Sequence, residues 1–184
     1  MAWGDTNLQK VLKNNGVAVM PTDTIYGIVG LAQSEFVVNR IYELRKRAPS
    51  KPCIILVGDE SELEKFSIIL SEKQKTAIKK YWPGPVSIVL DCPDEELEYL
   101  HRGTKTLAFR VPASAGLQAL LKETGPLIAP SANLEARPPS ETIAEAKKYF
   151  GDKVDLYVDG GTIKGSPSKV IKLSKDGSVE ILRY

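Results

Sequence analysis

Histidine and cysteine are almost missing from this chain, which has one histidine and two cysteines in 184 residues. A structural zinc site needs four ligands, so these residues are too few to form a Cys/His site. The single histidine, His101, has no obvious partner for a Ser–His–Asp arrangement, and we expect it in an exposed loop. Cys53 and Cys92 are widely separated in apolar or turn contexts, which favours reduced thiols in a cytoplasmic protein over a disulfide.

Long apolar runs and a strong charge of either sign are also lacking. The formal net charge is +2, which neither requires nor excludes a nucleic-acid partner. No apolar stretch approaches the length of a membrane span, and the first residues lack the layout of a signal peptide. We therefore expect a cytoplasmic protein without a membrane segment, folded as a single domain over residues 1–184.

Apolar periodicity and turn residues predict an irregular alternation of strands and helices. The predicted strands are 17–21, 52–57, 86–90, 106–111 and 127–130, then 156–159 and a hairpin of 169–173 with 179–183. The predicted helices are one capped by Asp5 or Thr6, one capped by Ser34, 71–81, 113–124 and 140–150. This order predicts an α/β (α+β) fold, with a twisted mixed parallel and antiparallel sheet flanked by helices.

The segment Pro21-Thr22-Asp23-Thr24-Ile25-Tyr26-Gly27 follows the first predicted strand directly. It offers three hydroxyls and a carboxylate where the strand ends, and ligands of open α/β sheets bind just outside the carboxyl ends of strands. A polar turn explains the same composition. Both interpretations stay open on this segment alone.

A second cluster, residues 45–51, places four cations within seven residues where a helix gives way to a strand. Such density suits a polyanion such as a nucleoside triphosphate. A solvated helix C-terminus is the alternative, because cations favour that end of the helix dipole.

Three further polar groups follow later strands. Arg110 interrupts an apolar strand and requires either an internal carboxylate or an acidic ligand. Ser131 and Asn133 alternate after a strand and suit either one pocket or a capping turn. A Gly/Ser segment, 165–168, precedes the final hairpin. The glycines at 160–165 do not form a phosphate-binding loop, because the lysine precedes the second glycine and no helix follows.

In this order, the segments resemble the YrdC-like threonylcarbamoyl-AMP synthase family over almost the whole chain. The matching pieces are Pro21–Gly27, Arg45-Lys46-Arg47 with Lys51-Pro52, Trp82-Pro83-Gly84-Pro85, Ala108-Phe109-Arg110-Val111-Pro112, Ala129-Pro130-Ser131-Ala132-Asn133-Leu134 and Pro167-Ser168-Lys169-Val170. The resemblance implies a basic concave cavity. It also implies condensation of L-threonine, bicarbonate or CO₂, and ATP into threonylcarbamoyl-adenylate and pyrophosphate. A separate transferase complex then modifies adenosine 37 of tRNA.

The resemblance also implies two groups of binding residues and no covalent nucleophile. The threonine side comprises Thr22, Arg110, Ser168 and Asn133. The ATP side comprises Arg45, Arg47, Lys51, Thr106, Ser131 and Arg183. Magnesium is expected on the phosphates, held mainly by phosphate and water rather than by a carboxylate cage.

Some residues depart from the family pattern. Arg45 and Ala48 stand where lysine and proline are common, Leu56 replaces a threonine-contacting histidine of longer members, and Lys169 replaces a frequent threonine. The role of Ser140 is open because the proline and serine order around it is shuffled, and Arg183 precedes only one further residue.

Two other functions compete with the synthase. A non-catalytic RNA-binding module would use the same basic concavity, although the mild charge and the few aromatic residues near the basic run favour at most weak RNA binding. A carbamoyl-adenylate domain of another pathway is the third option, and the lack of zinc-finger or acylphosphatase-like segments speaks against it.

Overall fold

We describe the protein from a computed structural model, which covers residues 2–48 and 50–184. Its helices are α1 (Thr6–Lys13), α2 (Glu35–Arg45), α3 (Glu72–Ile78), α4 (Glu98–His101), α5 (Ala115–Thr124) and α6 (Ile143–Phe150). Its strands are β1 (Ala18–Pro21), β2 (Tyr26–Leu31), β3 (Ile54–Leu56), β4 (Val86–Asp91), β5 (Thr106–Arg110), β6 (Leu127–Ile128), β7 (Leu156–Tyr157), β8 (Lys169–Leu173) and β9 (Val179–Arg183).

The strands form one nine-stranded sheet in the order β7-β1-β2-β6-β3-β5-β4-β8-β9. β7 with β1, β3 with β5 and β4 with β8 pair in parallel, and the other neighbours pair antiparallel. This confirms the predicted mixed sheet flanked by helices. The domain boundary at 1–184 remains a prediction.

Helix starts follow the predicted caps where a side chain can accept an orphan backbone N–H. Asp5 caps α1, Ser34 caps α2, and Ser71 with Gln74 forms a capping box on α3. The last helix differs, because Thr142 caps α6 and Ser140 lies before it. The buried Ser140 hydroxyl instead donates to the carbonyl of Ala132 at 2.6 Å and holds the loop after β6.

The two faces of the sheet are covered unequally. One face packs against α2, α3, α6 and the 3₁₀ turn Glu60–Phe66, in a core that includes Phe66, Phe109 and Ile41. The opposite face is covered by α1 and α5 only over part of its width, around Leu12 and Leu120. The remaining width of that second face carries the cavity described below.

Three features of the backbone departed from the sequence prediction. Strand β2 and the helical turns around residues 60–66 and 95–101 were not predicted. His101 is wrongly placed by the sequence interpretation, because it ends α4 and is 3% exposed. Its Nδ1 accepts from the backbone N–H of Gly103 and its Nε2 lies 3.2 Å from the carbonyl of Asp94, so it fixes a turn. Both cysteines are free thiols, as predicted, and the structure shows that both are buried.

Candidate active site

A cavity of about 350 Å³ opens on the half-covered face of the sheet. Most of the predicted site residues line it, from both predicted groups: Thr22, Arg110 and Ser168, and Arg45, Arg47, Thr106, Ser131 and Arg183. These side chains come from the β1–β2 turn, the end of α2, β5, the loop after β6, and the open end of the β8–β9 hairpin, where β8 begins and β9 ends. Segments distant in the chain therefore converge on one cavity.

The Thr22 hydroxyl organises its own turn. It donates to the carbonyl of Ile25 at 2.6 Å, and the backbone N–H groups of Thr24 and Ile25 each donate to it at 3.2 Å. The Thr24 hydroxyl also lies 3.1 Å away. A hydroxyl has one donor and two acceptor positions, so contacts within the turn occupy all of them. Its predicted role in threonine binding therefore depends on the shape of this turn.

Arg110 ends β5 and is almost fully buried, with its guanidinium Nη1 2.5 Å from the Asp23 carboxylate. The other Asp23 oxygen accepts from the backbone N–H of Ala113 at 2.9 Å. Nη2 of Arg110 lies 3.4 Å from the hydroxyl of Thr24. Asp23 thus fixes the loop, and Arg110 keeps a buried Nε without a hydrogen-bond partner.

Arg45 is the other deeply buried cation of the cavity, at 3% exposure. It is the last residue of α2, and Lys46 adopts a left-handed conformation (φ 50°) that ends the helix and leaves Lys46 exposed. Arg45 donates to the carbonyl and side-chain oxygens of Asn133 and to the Ser131 hydroxyl. These acceptors are neutral, its Nη1 is buried without a partner, and burial lowers its pKa.

Arg47 and Arg183 add two further guanidinium groups to the same cavity. Arg47 donates to the carbonyls of Lys51 and Pro52 at 2.9 and 3.0 Å, and Arg183 donates to the carbonyl of Ser168 at 2.7 Å. Burial, and next the charge of Arg47, lower the pKa of Arg183. The two arginines therefore repel each other while both are held by neutral carbonyls.

Lys51 and Asn133 are the predicted site residues that do not line the cavity. The amine of Lys51 points to Glu135, at 2.7 Å, and its side chain is 60% exposed. Asn133 lies behind Arg45, and its amide also donates to the carbonyls of Leu134 and Arg137. The binding roles of Lys51 and Asn133 remain predictions. In the structure, Asn133 contacts Arg45 rather than the cavity.

Two residues that shape the cavity, Tyr26 and Gly165, belong to segments noted in the sequence but were not among the predicted binding residues. The Tyr26 hydroxyl donates to the carbonyl of Gly161 at 2.8 Å and accepts from Gly160 N–H, so it anchors the segment that leads to Ser168. Gly165 lies on the β1–β2 turn so closely that a Cβ there would fall 1.8 Å from the Thr24 carbonyl oxygen. The glycines at 160–165 were the available signal, and they mark close approach of two backbones.

The cavity is strongly electropositive. Among the described residues that line it, four are arginines and none carries a carboxylate. The described part of the chain also holds no group of three or more His, Cys, Asp or Glu side chains arranged to bind a metal. Within those same ranges, no helix has the length and apolar character required to cross a bilayer. The chemistry available here is recognition and neutralisation of anions.

Comparisons with known proteins agree with this architecture. A threonylcarbamoyl-AMP synthase of Bacillus subtilis is 37% identical over 90% of this chain and 49% of its own length. Proteins of the same name from Klebsiella pneumoniae and Idiomarina loihiensis are 36% and 30% identical, covering 83% and 85% of this chain and 81% and 86% of theirs. This chain spans about half the length of the matching Bacillus subtilis and Pyrococcus abyssi proteins.

Two solved structures have the same fold. The structure of P. abyssi Sua5 complexed with L-threonine matches with a TM-score of 0.83 and 29% identity, over 94% of this chain and 52% of that one. E. coli YciO matches with a TM-score of 0.83 and 25% identity, over 96% and 86%. The sequence profile of the Sua5/YciO/YrdC family, described as "Telomere recombination", matches residues 10–184. The chain therefore belongs to the Sua5/YciO/YrdC family.

Proposed function

We propose that this protein is an L-threonylcarbamoyladenylate synthase, which condenses L-threonine, bicarbonate or CO₂, and ATP into threonylcarbamoyl-AMP and pyrophosphate. The observation that carries the proposal is the cavity of about 350 Å³ with four arginines and no carboxylate among its described lining residues. A nucleoside triphosphate supplies the negative charge that such a site lacks. The names of the relatives support the same activity.

The electrostatics of the cavity divide it into two unequal parts. The charge of Arg110 is balanced by Asp23 at 2.5 Å, so this end suits a zwitterion such as an amino acid. The described ion pairs include none for Arg45, Arg47 or Arg183. Unbalanced cations favour a polyanion, and we assign the triphosphate to their end of the cavity.

The proposed reaction needs no protein nucleophile. The neutral threonine amine attacks the carbon of CO₂ and releases a proton to solvent, or attacks bicarbonate and releases water, and either step forms a carbamate. A carbamate oxygen then attacks the α-phosphorus of ATP, and the bond from that phosphorus to the β-phosphate oxygen breaks with its electron pair on pyrophosphate. The arginines hold the reactants close together and neutralise the charge on the departing pyrophosphate. Burial raises the pKa of the Cys53 thiol in the cavity wall, which keeps it an inert neutral group.

Magnesium fits this site only through the nucleotide. The described lining residues offer hydroxyls and carbonyls but no carboxylate, and Mg²⁺ commonly binds through substrate phosphates and water. When bound there, it supplies additional neutralisation of phosphate charge. We assign the downstream use of the product to a tRNA threonylcarbamoyl transferase complex in the cytoplasm, in line with the sequence interpretation.

The direct test is conversion of labelled threonine, in the presence of bicarbonate and ATP, into threonylcarbamoyl-AMP. We expect pyrophosphate release to require threonine and to fall when serine replaces it. Release of pyrophosphate at the same rate without any amino acid would contradict the proposal. Arg110→Ala and Thr22→Ala should abolish threonine binding in calorimetry. Because Arg110→Ala also leaves the buried Asp23 carboxylate unpaired, its binding is read from the fraction that far-ultraviolet circular dichroism shows to be folded.

A further inference from the structure

Strand β5 presents alternate residues to opposite faces of the sheet, as every strand does. Leu107 and Phe109 point into the core and are 1% and 0% exposed. Thr106, Ala108 and Arg110 all line the cavity. The floor of the cavity along this strand is therefore a row of three residues with Ala108 in the middle.

Ala108 is also in the middle of a row across the sheet. It is in register with Ile54 of β3 on one side and with Val89 of β4 on the other. Both neighbours line the cavity as well. Strands favour β-branched residues, and alanine is depleted in them. A methyl group between two β-branched side chains leaves a depression in the centre of the floor.

The position of Ala108 relates it to both substrates of the proposed function, on which this inference rests. Residues two apart on a strand are separated by about 6.6–6.8 Å, so Ala108 lies midway between Arg110 and Thr106. The amino acid is assigned to the Arg110 end. The nucleotide is assigned to the end near Arg47, which donates to the carbonyl of Pro52. Pro52 is two residues before Ile54, the partner of Ala108, and so is level with Thr106. The threonine carbamate and the α-phosphate must meet between these ends for the new bond to form.

We propose that Ala108 is the floor of the reacting centre, a positioning residue whose small side chain lets the carbamate oxygen approach the α-phosphorus. The bond that forms above it joins the carbamate oxygen to phosphorus, and the bond that breaks releases pyrophosphate. A larger side chain at this position pushes the two reactants apart. Each reactant keeps its contacts with its own end of the cavity. The effect of the larger side chain is on the joining step.

Ala108→Val tests this because valine adds two methyl carbons and is better suited to a strand than alanine, so the fold is retained. Calorimetry gives the affinities for threonine and for a non-hydrolysable ATP analogue separately. Turnover is measured as threonylcarbamoyl-AMP formed with all substrates saturating. We expect each affinity to change by less than about 3-fold and kcat to fall by about 100-fold, the loss typical of a misplacement of about 1 Å. Ala108→Ser, whose side chain is intermediate in size, should have a kcat between those of the wild type and Ala108→Val.

Two results with Ala108→Val would overturn the inference alone. One is a kcat equal to that of the wild type, which would show that the reaction does not depend on the depression at Ala108. The other is loss of threonine or nucleotide binding, which would assign Ala108 to one binding end. Failure of the proposed function is read from the wild type by itself, as binding of both substrates without any threonylcarbamoyl-AMP, and that result overturns both proposals.

Discussion

Asp23 and Arg110 form a buried ion pair that joins the β1–β2 turn to the end of β5. The carboxylate and guanidinium side chains are only 9% and 5% exposed. Because the same carboxylate accepts from Ala113 N–H, it also fixes the entry to α5. A single residue therefore holds three segments and balances the charge at one end of the cavity.

Asp23→Asn should lower the free energy of unfolding by about 3–5 kcal/mol, the usual result of leaving one member of a buried ion pair unpaired. Arg110 also loses its fixed orientation, so we expect weaker threonine binding in the fraction that stays folded. Urea unfolding and calorimetry measure the two effects. Glu123→Gln is the matched control, because its pair with Lys13 is exposed and such pairs contribute about 0–1 kcal/mol. Equal effects of the two variants would contradict an anchoring role for Asp23.

Arg47→Gln should weaken ATP binding by roughly 10- to 100-fold, which corresponds to about 1.5–3 kcal/mol for a charge-assisted hydrogen bond. Two backbone carbonyls already hold the guanidinium in place, so ATP binding does not have to order this side chain. The expected loss of affinity therefore comes mainly from the lost charge. Calorimetric titration with ATP measures this.

The control for Arg47→Gln is Lys79→Gln, which removes the same charge from the exposed C-cap of α3. Lys51→Gln is informative in the same experiment. A loss of ATP affinity as large as that of Arg47→Gln would show that Lys51 leaves Glu135 and reaches the nucleotide, as predicted from the sequence.

Gly165→Ala should displace the segment before Ser168, because the new Cβ would lie 1.8 Å from a backbone oxygen that cannot move aside. We expect a lower melting temperature and a fall of at least about 10-fold in kcat/KM for threonine, since contacts that position a substrate tolerate little displacement. Gly4→Ala serves as control, because no atom lies within 4 Å of its added Cβ. Wild-type kinetics in Gly165→Ala would show that this segment does not shape the site.

Asp155 gives a pH-dependent contribution to stability. Hydrogen bonds from Arg40, and next one from Val17 N–H, hold its pKa below its ordinary value. A carboxyl whose pKa is lower in the folded than in the unfolded protein stabilises the fold at pH values above its unfolded pKa of about 3.9. This stabilisation is lost as the pH falls through the pKa of the folded protein.

Asp155→Asn should therefore cost about 1 kcal/mol near pH 7, an upper value for a partly exposed pair, and nothing near pH 2. Urea unfolding at several pH values tests this. Asp152→Asn removes an exposed charge from the same loop and should show no such dependence. A difference from wild type that stays constant across the pH range would contradict the assignment.

The local parts of this fold could be predicted from the sequence. The β8–β9 hairpin was predicted with the bounds that the structure has, because its turn depends on Gly177 at φ 86° and on neighbouring residues. Strand β2 was missed because its two glycines weaken the strand pattern, and it is formed by pairing with β1 and β6. The prediction of an exposed loop at His101 was wrong because this residue ends α4, a short helix that the sequence did not indicate.

The same distinction applies to the site. The resemblance to the family implied which residues converge, and most of them line one cavity. The way in which their charges are balanced could not be predicted from the sequence. Arg45, Arg47 and Lys51 are equivalent cations in the sequence, but the left-handed turn at Lys46 separates them. Arg45 is directed inward to neutral acceptors, whereas Lys51 pairs with Glu135 at the surface.

The alternation along β5 has a consequence for mutational scanning. Substitutions at Leu107 and Phe109 change the core and should reduce the amount of folded protein in proportion to the volume removed. Thr106 and Ala108 face the cavity, and substitutions there should reduce product formation per folded molecule. Arg110 faces the cavity as well, but its substitution also breaks the buried pair with Asp23 and should lower both scores. A scan that scores abundance and activity separately should therefore show a period of two residues over 106–109, with the two scores in opposite phase.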